Sequence, residues 1–177
     1  ASLRDAAIEV IDRATDHLAI ATYSFMGMEE HPVGAALARA LARNVRLDLL
    51  LQPRNHIDAQ RASLAWLVGL APERVWLHGH RRTHTKSIVA DGHAALLWTG
   101  NLEARHGWEN GIEVGVLVED AGVASAGAGW TGDVMQRATH VALNTPTVRE
   151  LVDAGQPSAL AGEWIVTLPA GTPKAGA

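Results

Sequence analysis

The sequence predicts an α/β domain in which a mixed β-sheet carries helices on both faces. Three observations lead there. Short apolar runs rich in strand formers, at 18–25, 45–51 and 75–78, alternate with segments of helical spacing. The first two runs flank a helical segment, which makes a βαβ unit and so a parallel pair with a right-handed crossover. Further on, two runs meet at Asp91-Gly92, a dipeptide that supplies the positive φ values of a tight hairpin, so antiparallel strands join the parallel ones.

The elements follow in order. Ala7, Ile8, Ile11 and Ala14 share a helical face and Ser2 offers an N-cap, giving a first helix over Leu3 to Ala14. Leu18 to Phe25 reads as a buried strand, followed by a loop from Met26 to Pro32. Pro32 can open a helix through Val33, Leu37, Ala40 and Leu41 that closes near Asn44, and Val45 to Leu51 is the second strand. A helix from about Asp58 ends at Gly69, and Val75 to His78 is a third strand. Thr83 to Ala90 and Ala94 to Trp98 form the hairpin, and Glu113 to Val118 is one more strand. A helix from Ala121 to Thr139 is weakened by Gly122, Gly127 and Gly129. One domain is expected over 1–145. Residues 146–177 read as a C-terminal extension ending in a loose tail from Gly171.

Composition agrees with one compact domain: 177 residues, 47% hydrophobic and 19% charged, a balance that excludes disorder, collagen and coiled coil. No apolar run approaches the roughly 20 residues of a membrane helix, so no span is expected. The absence of cysteine removes disulfides and thiolate chemistry but leaves the compartment open, secreted or periplasmic as readily as cytoplasmic. Ala1 in place of Met points to a processed or excised segment. A net charge of -4 weighs mildly against a dedicated nucleic-acid binder, whose domain is usually basic.

Chemistry concentrates in eighteen residues that hold His84, Lys86, Asp91, Thr99 and Asn101. His84 and Lys86 stand two apart, so on a strand they project from one face. An imidazole beside an ammonium suits a phosphate: the lysine holds non-bridging oxygens, the histidine attacks phosphorus, and an amide such as Asn101 donates to developing charge. Each residue alone has a plainer explanation. A His-x-Lys pair is usually a solvated face, Asp91 belongs to the hairpin turn, and Thr99 and Asn101 fit an ordinary loop. Together they are another matter, since such a pattern arises in on the order of one random chain in ten thousand.

The run His84-x-Lys86-x4-Asp91-x7-Thr99-x-Asn101 resembles the HKD motif of the phospholipase D superfamily, His-x-Lys-x4-Asp-x6-Gly-Ser-x-Asn. Leu102 stands where that family continues with Leu or Phe, and the order of helices and strands follows the family from residue 3 to about 140. Trp98 occupies the place of the family's Gly, and Thr99 keeps the hydroxyl of its Ser. The resemblance implies a phospholipase D-like mixed sheet and a metal-independent phosphodiesterase that needs no cofactor. His84 would form a phosphohistidine, released by water or an alcohol, while Lys86 and Asn101 grip the phosphate. Glu113, in Asn110-Gly-Ile-Glu113, would orient His84 through its far ring nitrogen, with Glu109 as the fallback. Asp91 counts with the catalytic motif as the residue that holds the turn behind the site.

The family takes its leaving-group proton from the His of a second motif, and no second His-x-Lys occurs here. A homodimer that brings two copies of His84 together, or a second HKD half in a longer protein, would supply it. Thr99, Arg81, Arg82 and Trp98 are the expected substrate contacts. The arginines, with His78 and His80, form a basic rim for a polyanion, a better reading than a zinc site built from the histidines. Trp98 and Trp108 flank the motif and can stack on a base or cover an acyl chain, whereas Trp66, Trp76 and Trp164 read as core or half-buried. The expected substrate is a phosphodiester, with nucleic acid ahead of phospholipid because one motif in so short a chain matches the family's small nucleases. A phospholipase or phosphatidyltransferase is the alternative.

Overall fold

In the computed structural model, which describes residues 2–52, 57–80 and 82–141, the chain runs through α1 (Leu3–Arg13), β1 (His17–Ala21), β2 (Phe25–Met26), α2 (Pro32–Ala42), β3 (Arg46–Leu51) and α3 (Ile57–Leu70). Then come β4 (Val75–Gly79), β5 (Ser87–Ala90), β6 (Ala94–Trp98), β7 (Leu102–Glu103), a π-helical turn (Ala104–Glu109), β8 (Gly115–Val118), α4 (Ala121–Arg137) and β9 (Thr139–Val141). Seven strands form one sheet in the order β8-β6-β5-β1-β3-β4-β9, and β2 pairs with β7 in a separate parallel ribbon. β1, β3 and β4 are mutually parallel, as the βαβ pattern predicts, and β5, β6 and β8 continue the sheet antiparallel.

Strand alternation sorts the side chains onto two faces. Leu18 and Ile20 of β1, Leu47 and Leu49 of β3, and Ile88 of β5 point to one face, where Val10 and Ile11 of α1, Leu37 of α2 and Leu64 and Leu67 of α3 meet them. Ala19, Val89 and Ala95 point to the other, against Ala124 of α4, and Ala21 and Leu50 meet Met135 of the same helix. Small residues under α4 let it lie close to the sheet. Helices therefore cover both faces, the architecture expected from the sequence. α1 starts at a capping box in which the Ser2 hydroxyl accepts from Asp5 N–H and the Asp5 carboxylate accepts from Ser2 N–H. Pro32 sits at the first position of α2, with the His31 ring as its cap.

Several boundaries differ from the sequence expectation. The run 18–25 is not one strand, because the chain leaves the sheet after Ala21: Thr22 Oγ1 donates to the Ser24 carbonyl (2.8 Å) and accepts from Leu102 N–H (3.1 Å), which redirects residues 25–26 to β7. α3 passes through Gly69 and stops at Leu70, ahead of Ala71-Pro72. α4 ends at Arg137, two residues short. β5 begins only at Ser87, while its end at Ala90 and the start of β6 at Ala94 fall where expected, with Asp91 and Gly92 at φ 53° and 69° in the turn. β2, β7, β9 and the π-helical turn carry no sequence signal long enough to predict. The extension over 146–177, its tail and Trp164 lie outside the described residues.

Candidate active site

His84 and Lys86 stand on the run that leads into β5, not on the strand itself, yet they meet as the spacing requires. The Lys86 ammonium donates to the His84 carbonyl (2.9 Å) and lies 3.0 and 3.2 Å from the two ring nitrogens. His84 is exposed and Lys86 is buried at 8% exposure, so the ring faces outward while the cation is seated beneath it. The Tyr23 ring, just past the end of β1, packs against His84 with centroids 5.2 Å apart. Burial pulls the Lys86 pKa below its ordinary value, partly offset by the carboxylates of Glu113 and Glu103.

Thr99, Gly100 and Asn101 follow β6 directly. Thr99 N–H donates to the Val114 carbonyl (3.0 Å) and Val114 N–H donates to Thr99 Oγ1 (3.1 Å), which ties this loop to the start of β8. Glu113 accepts a hydrogen bond from the Thr99 hydroxyl. Its carboxylate is thus engaged with Thr99, and the expected bond to the far ring nitrogen of His84 is not formed in this structure. Glu109 has no bond to His84 either. Gly107, in the π-helical turn, lies so close to Asn101 that a Cβ there would fall 2.0 Å from the Asn101 carbonyl oxygen. Only glycine lets the turn close over the loop that carries Asn101, and π-turns concentrate at functional sites.

A residue outside the motif joins the set. Glu103, buried at 6% exposure, accepts from Asn101 Nδ2 (3.0 Å) and from the Ser24 hydroxyl. Alternation from Asn101 could have signalled it, but a carboxylate two residues past a motif reads from sequence as a solvated charge. Tyr23 and Ser24 were missed because the sequence reads them as the end of a strand.

The other expected site residues separate from this cluster. Trp98 turns into the core: it is 7% exposed on the face covered by α1 to α3, and its ring packs against Trp108 at 5.7 Å, with His31 stacked beyond at 6.0 Å. Its place in β6 explains this, since Leu96 and Trp98 share the buried face. Arg82 is exposed, its N–H donating to His80 Nδ1 (3.3 Å), and Arg81 lies outside the described residues. His78 is no part of a rim: it is 1% exposed and pairs through Nε2 with buried Asp48 (2.6 Å), which also meets His17 (2.8 Å) and Arg46 (2.9 Å). Among the described residues no group of three or more His, Asp or Glu is arranged to hold a metal.

Asp91 sits at the far end of β5 from His84 and Lys86, and its work is structural. Its carboxylate accepts from Thr15 N–H (2.9 Å), the Thr15 hydroxyl (2.9 Å), Asp16 N–H (3.1 Å) and His17 N–H (2.7 Å), clamping the entry to β1 onto the hairpin. Partial burial raises its pKa, but the hydrogen bonds together prevail and hold it below the ordinary value. Replacing Asp91 by Ala removes all four hydrogen bonds, and at pH 7 we expect a loss of about 2 kcal/mol or more, read from denaturant unfolding. A depressed folded pKa gives stability that is present above the unfolded value near 4 and lost as pH falls through the folded one. The gap between parent and variant should therefore narrow below about pH 4.

The fold is that of a phospholipase D-like domain. Residues 7–130 match the family model described as "Cardiolipin synthase, PLD-like domain", and the chain belongs to that family. It is 29% identical over 127 residues to cardiolipin synthase A of Klebsiella pneumoniae, a stretch covering 70% of this chain and 26% of that protein. The chain thus spans about a quarter of the length of the curated relatives it matches. Among solved structures, Nuc of Salmonella typhimurium, a phospholipase D family member, superposes with a TM-score of 0.63 at 18% identity, covering 77% of this chain and 89% of Nuc. NucT of Helicobacter pylori gives 0.61 at 20%, covering 77% and 91%. Phosphatidylserine synthase of Haemophilus influenzae gives 0.60 at 13%, covering 90% and 44%.

Proposed function

We propose that this chain is a metal-independent phosphodiesterase that works through a phosphohistidine, with nucleic acid as substrate. The observation that carries the reading is the outward-facing His84 ring with the Lys86 ammonium seated 3.0 Å beneath it, beside the Asn101 loop. In the first step a ring nitrogen of His84 attacks phosphorus, and the bond to the leaving oxygen breaks. Lys86 and Asn101 take the non-bridging oxygens, whose negative charge their donors stabilise. The leaving oxygen accepts a proton from an acid. In the second step water attacks the phosphohistidine, gives its proton to that same group, and frees His84.

The acid is the His84 of a second copy or the matching histidine of a second HKD half, since the sequence carries one His-x-Lys pair. An apolar surface supports that partner. Leu97 of β6 and Val123 and Trp130 of α4 are exposed and line a cavity of about 200 Å³, and Val116 of β8, opposite Leu97, is exposed as well. Thr85, next to His84 in the chain, lines the same cavity and makes the surface continuous with the site. The match to 89% and 91% of two proteins named Nuc and NucT supports nucleic acid. The family model named for cardiolipin synthase supports the second reading, a phosphatidyl transfer or hydrolysis at the same residues.

The test is hydrolysis of a chromogenic phosphodiester in EDTA, then of single-stranded DNA, duplex DNA and cardiolipin-precursor vesicles over a salt series, with solution mass recorded on the same samples. We expect activity that survives EDTA, a dimeric mass, and nucleic-acid binding that weakens steeply with salt as counterions are displaced. Turnover confined to vesicles would establish the phosphatidyl reading. An inert, well-folded monomer would overturn both.

A further inference from the structure

A buried carboxylate outside the motif lies two residues past Asn101. We infer that Glu103 is a positioning residue of the active site, fixing the amide of Asn101 and supporting the charge of Lys86. This rests on the phosphate-handling role proposed above for those two residues.

The geometry is specific. Glu103 occupies β7, whose partner β2 places Met26 opposite it, and the Ser24 hydroxyl just upstream donates to Glu103 Oε1. Asn101 Nδ2 donates to the same oxygen at 3.0 Å. Among the described residues Asn101 Oδ1 has no hydrogen-bond partner, so nothing else in this set decides which way the amide turns. A flipped amide would set its oxygen against a carboxylate oxygen at that distance, which is repulsive. Glu103 therefore holds nitrogen inward and leaves the second N–H of Asn101 free to donate to a phosphate oxygen.

Charge is the second part. A buried carboxylate is costly unless it is paired and hydrogen-bonded, and Glu103 has two neutral donors with the Lys86 cation within electrostatic reach. The titratable groups facing Lys86 are Glu103, Glu113 and the His84 ring. Of the two carboxylates, partly exposed Glu113 supports the Lys86 charge the more, and Glu103, shielded from solvent, adds to it.

Glu103→Gln separates these effects from folding. Both hydrogen bonds fall on Oε1, which an amide oxygen reproduces, so the variant keeps its shape and loses its charge. Ser24→Ala, which removes one donor and leaves the charge, is the control. Two measurements are made: the titration of the Lys86 side chain by NMR, and the affinity for inorganic phosphate, each alongside kcat and KM on the chromogenic diester. We expect Glu103→Gln to move the Lys86 titration and the alkaline limb of the rate profile to lower pH. Phosphate affinity should fall about five- to tenfold on the alkaline side, where the variant has lost the Lys86 proton and the parent still holds it, with KM raised there, while Ser24→Ala leaves the Lys86 titration in place. An unchanged Lys86 titration together with unchanged phosphate affinity would overturn the inference. If the parent shows no diesterase activity, the reading of function fails, while titration and phosphate binding still decide the role of Glu103.

Discussion

His84→Ala is expected to lower diester hydrolysis by about 10⁴-fold or more, since in the proposed mechanism it removes the nucleophile and leaves only binding and charge stabilisation. The ring is exposed and its neighbours are Tyr23 and Lys86, so truncation should leave far-ultraviolet dichroism and unfolding midpoint nearly unchanged. Two further signatures make the result specific. Enzyme quenched in alkali during turnover of a phosphorus-labelled substrate should carry label that is stable to base and lost in acid, and His84→Ala should carry none. If the site needs one His84 from each of two copies, mixing parent with variant under exchanging conditions will reduce activity as the square of the parent fraction. A linear fall would show that each chain works alone.

Lys86→Met is the second large effect, expected to cost about 10²- to 10³-fold in kcat/KM, the scale for deleting one donor to developing oxyanion charge. Lys86→Arg should not rescue it, because the seat holds a compact ammonium at 8% exposure and a planar guanidinium is larger and differently directed. The pH dependence has a defined sign. Burial pulls the Lys86 pKa below its ordinary value, so the proton that grips phosphate is lost at a lower pH than from a free lysine. Activity should decline on the alkaline side ahead of the usual lysine range, and in Lys86→Met that limb should vanish.

Much of this was legible in the sequence because the chemistry is local. His84, Lys86, Thr99 and Asn101 fall within one hairpin, where spacing alone decides which side chains meet, and the βαβ order dictated the parallel half of the sheet. What escaped has physical reasons. The apolar run 18–25 continues without a break in hydrophobicity while the backbone leaves the sheet, a change made by the Thr22 hydroxyl and invisible to periodicity. Trp98 looked like a substrate contact from its place beside the motif, but strand parity sends its ring into the core with Leu96. Glu103 escaped because burial of a carboxylate depends on donors from residue 24, far off in sequence. Glu113, expected on His84, bonds Thr99 instead, a choice between two neighbours that spacing cannot make.

The strand order has a consequence for how the chain is made. β1 is the middle strand, yet its antiparallel neighbour β5 begins only at Ser87, whereas β3 on its other side arrives by residue 51. On a ribosome adding about 5–20 residues per second, roughly 3 to 13 seconds separate the synthesis of β1 from that of β5. Through that interval one edge of β1 has no partner, and the Asp91 clamp on Thr15 to His17 does not yet exist. The nascent chain thus passes through a stage with an open, apolar sheet edge, a template for pairing with other chains until residue 91 emerges.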